Sequence, residues 1–152
     1  SAALPVTDWL GHAVLLQLQC ADGGLRPWHG HVLAAEFRGA DGGLARYHLT
    51  VGPWLSLLGA RRDSFVYQGL HALDIIADVL RDHPQARWRV EVSRRLSVRE
   101  LCCQYRESDQ AFIERLLAEE GLSYHFEHHA AHGDDPAHHV WVITDPQTRP
   151  TD

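Results

Sequence analysis

At 152 residues the chain can bury a real core, as one domain or as two small ones. Its 45% hydrophobic and 22% charged residues are globular proportions. The net charge of −6 argues against a general binder of nucleic-acid backbones, which would present a basic face. No apolar run approaches the roughly 20 residues that span a bilayer. The start lacks the basic, apolar, small-residue order of a secretory leader, so general export is not expected. Three cysteines are too few for a disulfide framework and are expected to be reduced.

Residues 1–11 show no period and read as a loop or linker. From Val14 the chain alternates: Val14, Leu16, Leu18 and Cys20 against Leu15, Gln17 and Gln19. Asp22-Gly23-Gly24 supplies a tight turn, because glycines accept the backbone conformations that hairpins need. Trp28–Phe37 reads as the returning strand, Ala40–Gly43 as the next turn and Leu44–Val51 as a third strand. The pentapeptide ADGGL occurs at Ala21–Leu25 and at Ala40–Leu44, which reads as one turn chemistry used twice in a meander. Three hairpin strands cannot close a barrel, so an open, partial barrel is expected. Such an open sheet leaves edges that tend to find other chains.

Gly52-Pro53 breaks the third strand, and Trp54, Leu55, Leu57 and Leu58 follow as an apolar knot. Arg61-Arg62-Asp63-Ser64 is a polar corner, readable as an exposed turn or as an anion site. Phe65–Gln68 is a short strand candidate. Ala72, Ile75, Ile76, Val79, Leu80 and His83 then share one helical face, and Pro84 closes that helix. Strands follow at Arg87–Val92, with Arg87, Arg89 and Glu91 on the wet side, and at Leu101–Tyr105, where Cys102 and Cys103 face opposite ways.

The best-defined stretch runs from Gln104 to His128. Ser108 or Asp109 can cap a helix, since each offers an oxygen to the unpaired amides of a first turn. Phe112, Ile113, Leu116 and Leu117 recur on one face, and Gly121 sits where a left-handed C-terminal cap belongs. Leu122, Tyr124 and Phe126 alternate with Ser123, His125 and Glu127 as a half-buried strand. Val140–Thr144 completes a hairpin around a loose loop, and the tail from Asp145 is expected to fray. The expected class is α+β: an antiparallel meander over 1–58, a small α+β domain with two helices on a sheet over 59–145, and a flexible tail over 146–152. The pattern is not a repeating βαβ unit.

The run Tyr105-Arg106-Glu107-Ser108-Asp109, the helix bearing Phe112, Leu116 and Leu117, then Gly121, Tyr124 and Phe126, resembles the signature of VgrG proteins, the spike-tip components of type VI secretion. A second block, Gly39–Gln68, resembles the same family, and the two cover most of Trp28–His128. The resemblance implies a phage-tail-hub-like fold and a structural role at the spike base. It further implies a homotrimer that docks on the Hcp tube, with effector or tip proteins held by regions absent here. Assembly in the cytoplasm and delivery out of the cell or into a target cell follow from the same likeness. In the family a longer N-terminal region supplies further strands, so a partial chain is expected. The alternative readings are a phage-tail baseplate hub and, behind it, a metal-dependent enzyme using the His-rich 125–139 hairpin.

The histidines are the feature that would support an enzyme. His125, Glu127 and His129 would share one strand face, and imidazole and carboxylate are ordinary zinc ligands. Their spacing matches no established zinc motif. GxSxG, SxxK, GxGxxG and the P-loop pattern are all missing from the sequence. Arg106 and Glu107 are expected to form a structural ion pair. The expectation is therefore a protein that acts by packing, with no catalytic residue, no metal and no cofactor.

Overall fold

The computed structural model describes residues 4–60 and 62–146. Arg61 of the expected polar corner and the expected tail from Gln147 onward lie outside the described residues. The chain divides into two compact units, one formed by residues up to Leu57 with His128–His139, the other by Leu58–Glu127 with the segment from Val140. The sequence pattern implies a single cut near residue 58, whereas in the structure the hairpin end, His128–His139, belongs to the first unit.

The first unit is built on a three-stranded antiparallel meander, β1 (Ala13–Gln19), β2 (Leu25–Asp41) and β3 (Leu44–Gly52), in that order. A 3-10 turn over Val6–Trp9 precedes it where a loop was expected. The first hairpin is locked by the Asp22 carboxylate, which accepts the Gly24 N–H at 2.9 Å, and by the Cys20 N–H donating to Gly24 O at 2.7 Å. β2 is longer than the alternation suggested, because register shifts at Val32/Ala34 and Phe37/Gly39 let it bend and continue pairing with β3. Gly30 is required by close approach: a Cβ there would lie 2.8 Å from Gly52 O and 2.7 Å from a Val51 methyl. Alternation in β1 does not separate a dry face from a wet one, since Leu15 is 37% and Leu16 56% exposed. Leu18, Leu25, Trp28, Phe37, Leu44, Leu49 and Val51 are exposed as well. Val32, Trp54 and Leu55 are buried, the last two in a 3-10 helix over Trp54–Ala60.

The second unit holds β4 (Arg62–Tyr67), α1 (Ala72–Leu80), β5 (Trp88–Glu91), β6 (Cys102–Ser108) and α2 (Asp109–Glu120); β7 (Ser123–His129) and β8 (His138–Thr144) each contribute residues to both units. β4 pairs antiparallel with β6, and a separate sheet runs β5-β8-β7 with β5 parallel to β8. The central strand is continuously apolar over Val140–Ile143, and Trp141, Val142 and Ile143 are fully buried, as a strand covered on both faces requires. β5 is an edge strand, and its Val90, expected on a dry side, is exposed. Ile75, Ile76, Phe112, Ile113 and Leu116 are fully buried, and the Phe112 ring stacks on Tyr67 at 6.0 Å. Burying each such side chain contributes roughly 1.5–3 kcal/mol before ordering costs. The architecture is thus α+β, as the sequence pattern implies.

Two local expectations fail. Asp145 does not fray: it is buried, and its carboxylate accepts from Ser93 N–H, Ser93 Oγ–H and Arg94 N–H at 2.9, 2.9 and 3.4 Å, holding the chain after β5. The loop after β7 is not loose either, for His132 and Asp135 exchange backbone bonds at 2.9 and 3.0 Å. The three cysteines are free, with Cys102 buried and Cys103 exposed on opposite sides of β6. Among the described residues no helix is long and apolar enough to cross a membrane.

Candidate functional site

The signature stretch folds as β6, α2 and the start of β7. Ser108 is the cap: its Oγ accepts the Ala111 N–H at 3.1 Å. Asp109 takes a different role at the same helix end, where the dipole favours a negative charge. It is buried, accepts the Gln104 amide at 2.9 Å and lies 2.9 Å from His83 Nε2. His83 therefore lies beyond the end of α1 rather than on its face. Gly121 closes α2 with φ of 66°, and its N–H reaches Ala118 O, so the predicted cap is present. Phe112, Leu116 and Leu117 point into the core, whereas Tyr105 is exposed and Tyr124 and Phe126 meet edge to face at 5.8 Å.

The polar residues of this stretch form a chain of ion pairs, of which only the Arg115–Glu119 link, at i,i+4 spacing, is legible in the sequence. Glu107 binds Arg115 through two contacts of 2.6 and 3.2 Å, not Arg106 as expected. Arg115 continues to Glu119 at 2.9 Å, and Arg99 bridges Glu119 and Glu120 at 2.6 and 2.8 Å. Hydrogen bonds from Arg115 hold the Glu107 carboxyl below its usual range, and Arg99 followed by Arg115 does the same for Glu119. Carboxylates kept ionised in this way are poor proton carriers and good struts. Arg106 instead occupies a bulge between β4 and β6, with φ of 49° and its N–H on Ser64 Oγ at 3.1 Å. A non-glycine residue in that region costs on the order of 1–2 kcal/mol, so the bulge is held by its surroundings.

The predicted metal candidates are not gathered. Glu127 is taken by Arg89 at 2.6 and 3.2 Å, His125 stands 3.9 Å from Glu127 and half exposed, and His129 stacks on His138 with ring centres 4.9 Å apart. Another histidine group lies in the first unit: His29 and His31 of β2 and His139 of β8, whose ring nitrogens lie within 4.8 Å of one another. Sequence reasoning missed it because residues 29 and 139 are 110 apart. The His139 Nε2 accepts the Trp54 N–H at 2.9 Å, and His139 Nδ1 lies 2.8 Å from His29 Nδ1. A metal on His139 Nδ1 would force a proton onto Nε2 against that N–H, and a metal on Nε2 would displace it. The donor set therefore fits an ion poorly. Burial, and then the neighbouring imidazoles, push His139 down to about 3, so its ring is neutral at ordinary pH.

A family model described as the phage tail baseplate hub (GPD) matches residues 1–152. The chain belongs to the phage tail baseplate hub family. Its curated relatives narrow the kinship to VgrG. The type VI secretion system spike protein VgrG4b of Pseudomonas aeruginosa is 38% identical over 105 residues, 68% of this chain and 12% of that protein. VgrG1b of the same organism is 34% identical over 142 residues, 93% of this chain and 18% of that protein. The actin cross-linking toxin VgrG1 of Vibrio cholerae is 39% identical over 84 residues, which are 8% of its length. A solved structure, the E. coli c3393 protein, aligns with a TM-score of 0.84 at 26% identity over 99% of this chain and 40% of that one. It is described as a component of the type VI secretion system similar to the T4 phage tail proteins gp27 and gp5. The present chain thus spans less than a fifth of the length of those Pseudomonas relatives.

Proposed function

We propose that this chain is a structural part of the hub at the base of a type VI secretion spike. It works by packing: copies associate around a threefold axis, the ring docks on the Hcp tube, and effectors are carried by parts of the assembly outside these residues. The spike is put together in the cytoplasm and then expelled. The observation that carries this reading is the similarity of nearly the whole fold to a type VI component, at a TM-score of 0.84 over 99% of the chain. The apolar side chains left open on both faces of β1–β3 supply area for such packing. The arginine-clamped carboxylates beside α2 suit a rigid body better than proton transfer. Any toxin activity of a relative such as the actin cross-linking VgrG1 is ascribed to other parts of that longer protein.

The test is export. With the other spike genes deleted, removing the gene for this chain should abolish release of the tube protein into the medium. The intact gene should restore release, and the Leu116→Asp variant should not. Unchanged release would contradict the proposal. The description of the matching family as a phage tail hub favours a second reading, in a phage-derived particle. Loss of tail-like particles with tube export unaffected would select it.

A further inference from the structure

We infer that the end of the β7–β8 hairpin is fastened to β2 and to the start of the Trp54–Ala60 turn by a chain of imidazoles that holds only while uncharged, so that acid opens this joint of the first unit.

The hydrogen bonds fix the tautomers. His139 Nε2 accepts the Trp54 N–H at 2.9 Å, so in a neutral ring the proton sits on Nδ1. Nδ1 lies 2.8 Å from His29 Nδ1, which must then accept, leaving the His29 proton on Nε2. The backbone N–H of His29 donates to His128 Nδ1 at 2.9 Å, which places the His128 proton on Nε2 as well. His29 is thereby gripped from both arms of the hairpin, through its ring by His139 and through its backbone by His128. His31 completes the group by donating from Nδ1 to Gly11 O at 3.1 Å, with its ring 5.8 Å from that of His139.

A second proton on His139 has nowhere to go. On Nε2 it meets the Trp54 N–H head on, in a site where His139 is 2% exposed. The strand positions set opposite His29 and His31 carry no acid. β1 sets Leu15 and Ala13 opposite His29 and His31, and β3 sets Gly52 opposite His31. The imidazoles of His29, His31, His128 and His138 act on His139, and His129 and Arg26 act on His128, all positive when charged. Asp135, 3.6 Å from His138, lies on the exposed side of the loop. Protons therefore favour the open form over the closed one.

Linkage gives the sign. A histidine held below its ordinary value binds its proton only after the joint opens, so the closed form is intact above about pH 6.5 and weakens as pH falls. One such proton multiplies the opening constant about tenfold for each unit below pH 6.5.

The test uses the intact chain. Ring-nitrogen NMR should show His139 neutral with its proton on Nδ1 at pH 5.5. Hydrogen exchange at the Trp54 and His29 amides, corrected for intrinsic rate, should lose protection about tenfold per unit below pH 6.5. In His139→Gln, whose carbonyl oxygen can still accept from Trp54 but cannot titrate, one power of that dependence should vanish. His139 titrating near 6.5 with Trp54 protection unchanged would overturn the inference, as would a His139→Gln variant that keeps the full slope. Stoichiometric zinc binding at pH 7.5 that raises Trp54 protection, reversed by chelator, would also overturn it and assign the cluster to a metal.

Discussion

The meander and the α2 region solve the same problem in opposite ways. Around α2 every large apolar side chain on the helix face has a place inside, with Phe112, Ile113 and Leu116 fully buried and an ion-pair chain sealing the rim. In β1–β3 the apolar residues are as numerous, yet Leu16, Leu18, Leu25, Trp28 and Leu44 lie open. A helix can complete its core with the chain that follows it, whereas a three-stranded sheet has two faces and needs other layers. One region fills its own core and the other leaves apolar area open.

Four measurements would break or sharpen that contrast. Leu116→Asp places an unpaired charge in a fully buried site and should abolish cooperative melting of the second unit; a melting curve like the wild type would mean the α2 core is misassigned. Gly30→Ala forces a methyl against the Gly52 carbonyl and should lower stability by roughly 1–3 kcal/mol in denaturant titration, even though it lies in the open meander. Ser108→Ala removes the α2 cap and should cost about 1 kcal/mol. Leu16→Gln should change stability by no more than about 0.5 kcal/mol, because its side chain is already in water, while weakening association between copies.

Acid should separate the two units. Glu107 and Glu119 sit below their usual range, so their contribution is complete above the ordinary carboxylate value and is lost as pH falls through their lowered ones. His139 is lowered as well, so its contribution fades from about pH 6.5 downward, well before the carboxylates change. Amide exchange followed from pH 7.5 to 4 should therefore show the hairpin end loosening while α2 stays protected. Simultaneous loss in both would contradict this order.

What could be read from the sequence was local. The α2 cap, its buried face and the Gly121 stop all lie between Ser108 and Gly121, where local spacing specifies them, and the structure has each one. β8 was legible as a strand over Val140–Thr144, but not as the buried central one. The histidine joint was not, because it depends on β2 and β8 meeting across 110 residues and on which ring nitrogen faces the Trp54 amide. Adjacency suggests Arg106 as the Glu107 partner, but a bulge turns Arg106 away and Arg115 of α2 reaches back to the strand instead. Asp145 was misread because a Pro- and Thr-rich tail hides one carboxylate that satisfies the backbone after β5.

The central claim is that the open faces of β1–β3 are packing surfaces between copies in a hub. The direct test is the solution mass of the chain by light scattering, measured across concentration for the wild type and for Leu16→Gln. The account predicts a wild-type mass that rises to that of a trimer and a variant that stays monomeric with an unchanged melting curve. A wild type that remains monomeric at high concentration, or a variant that associates equally well, would contradict it.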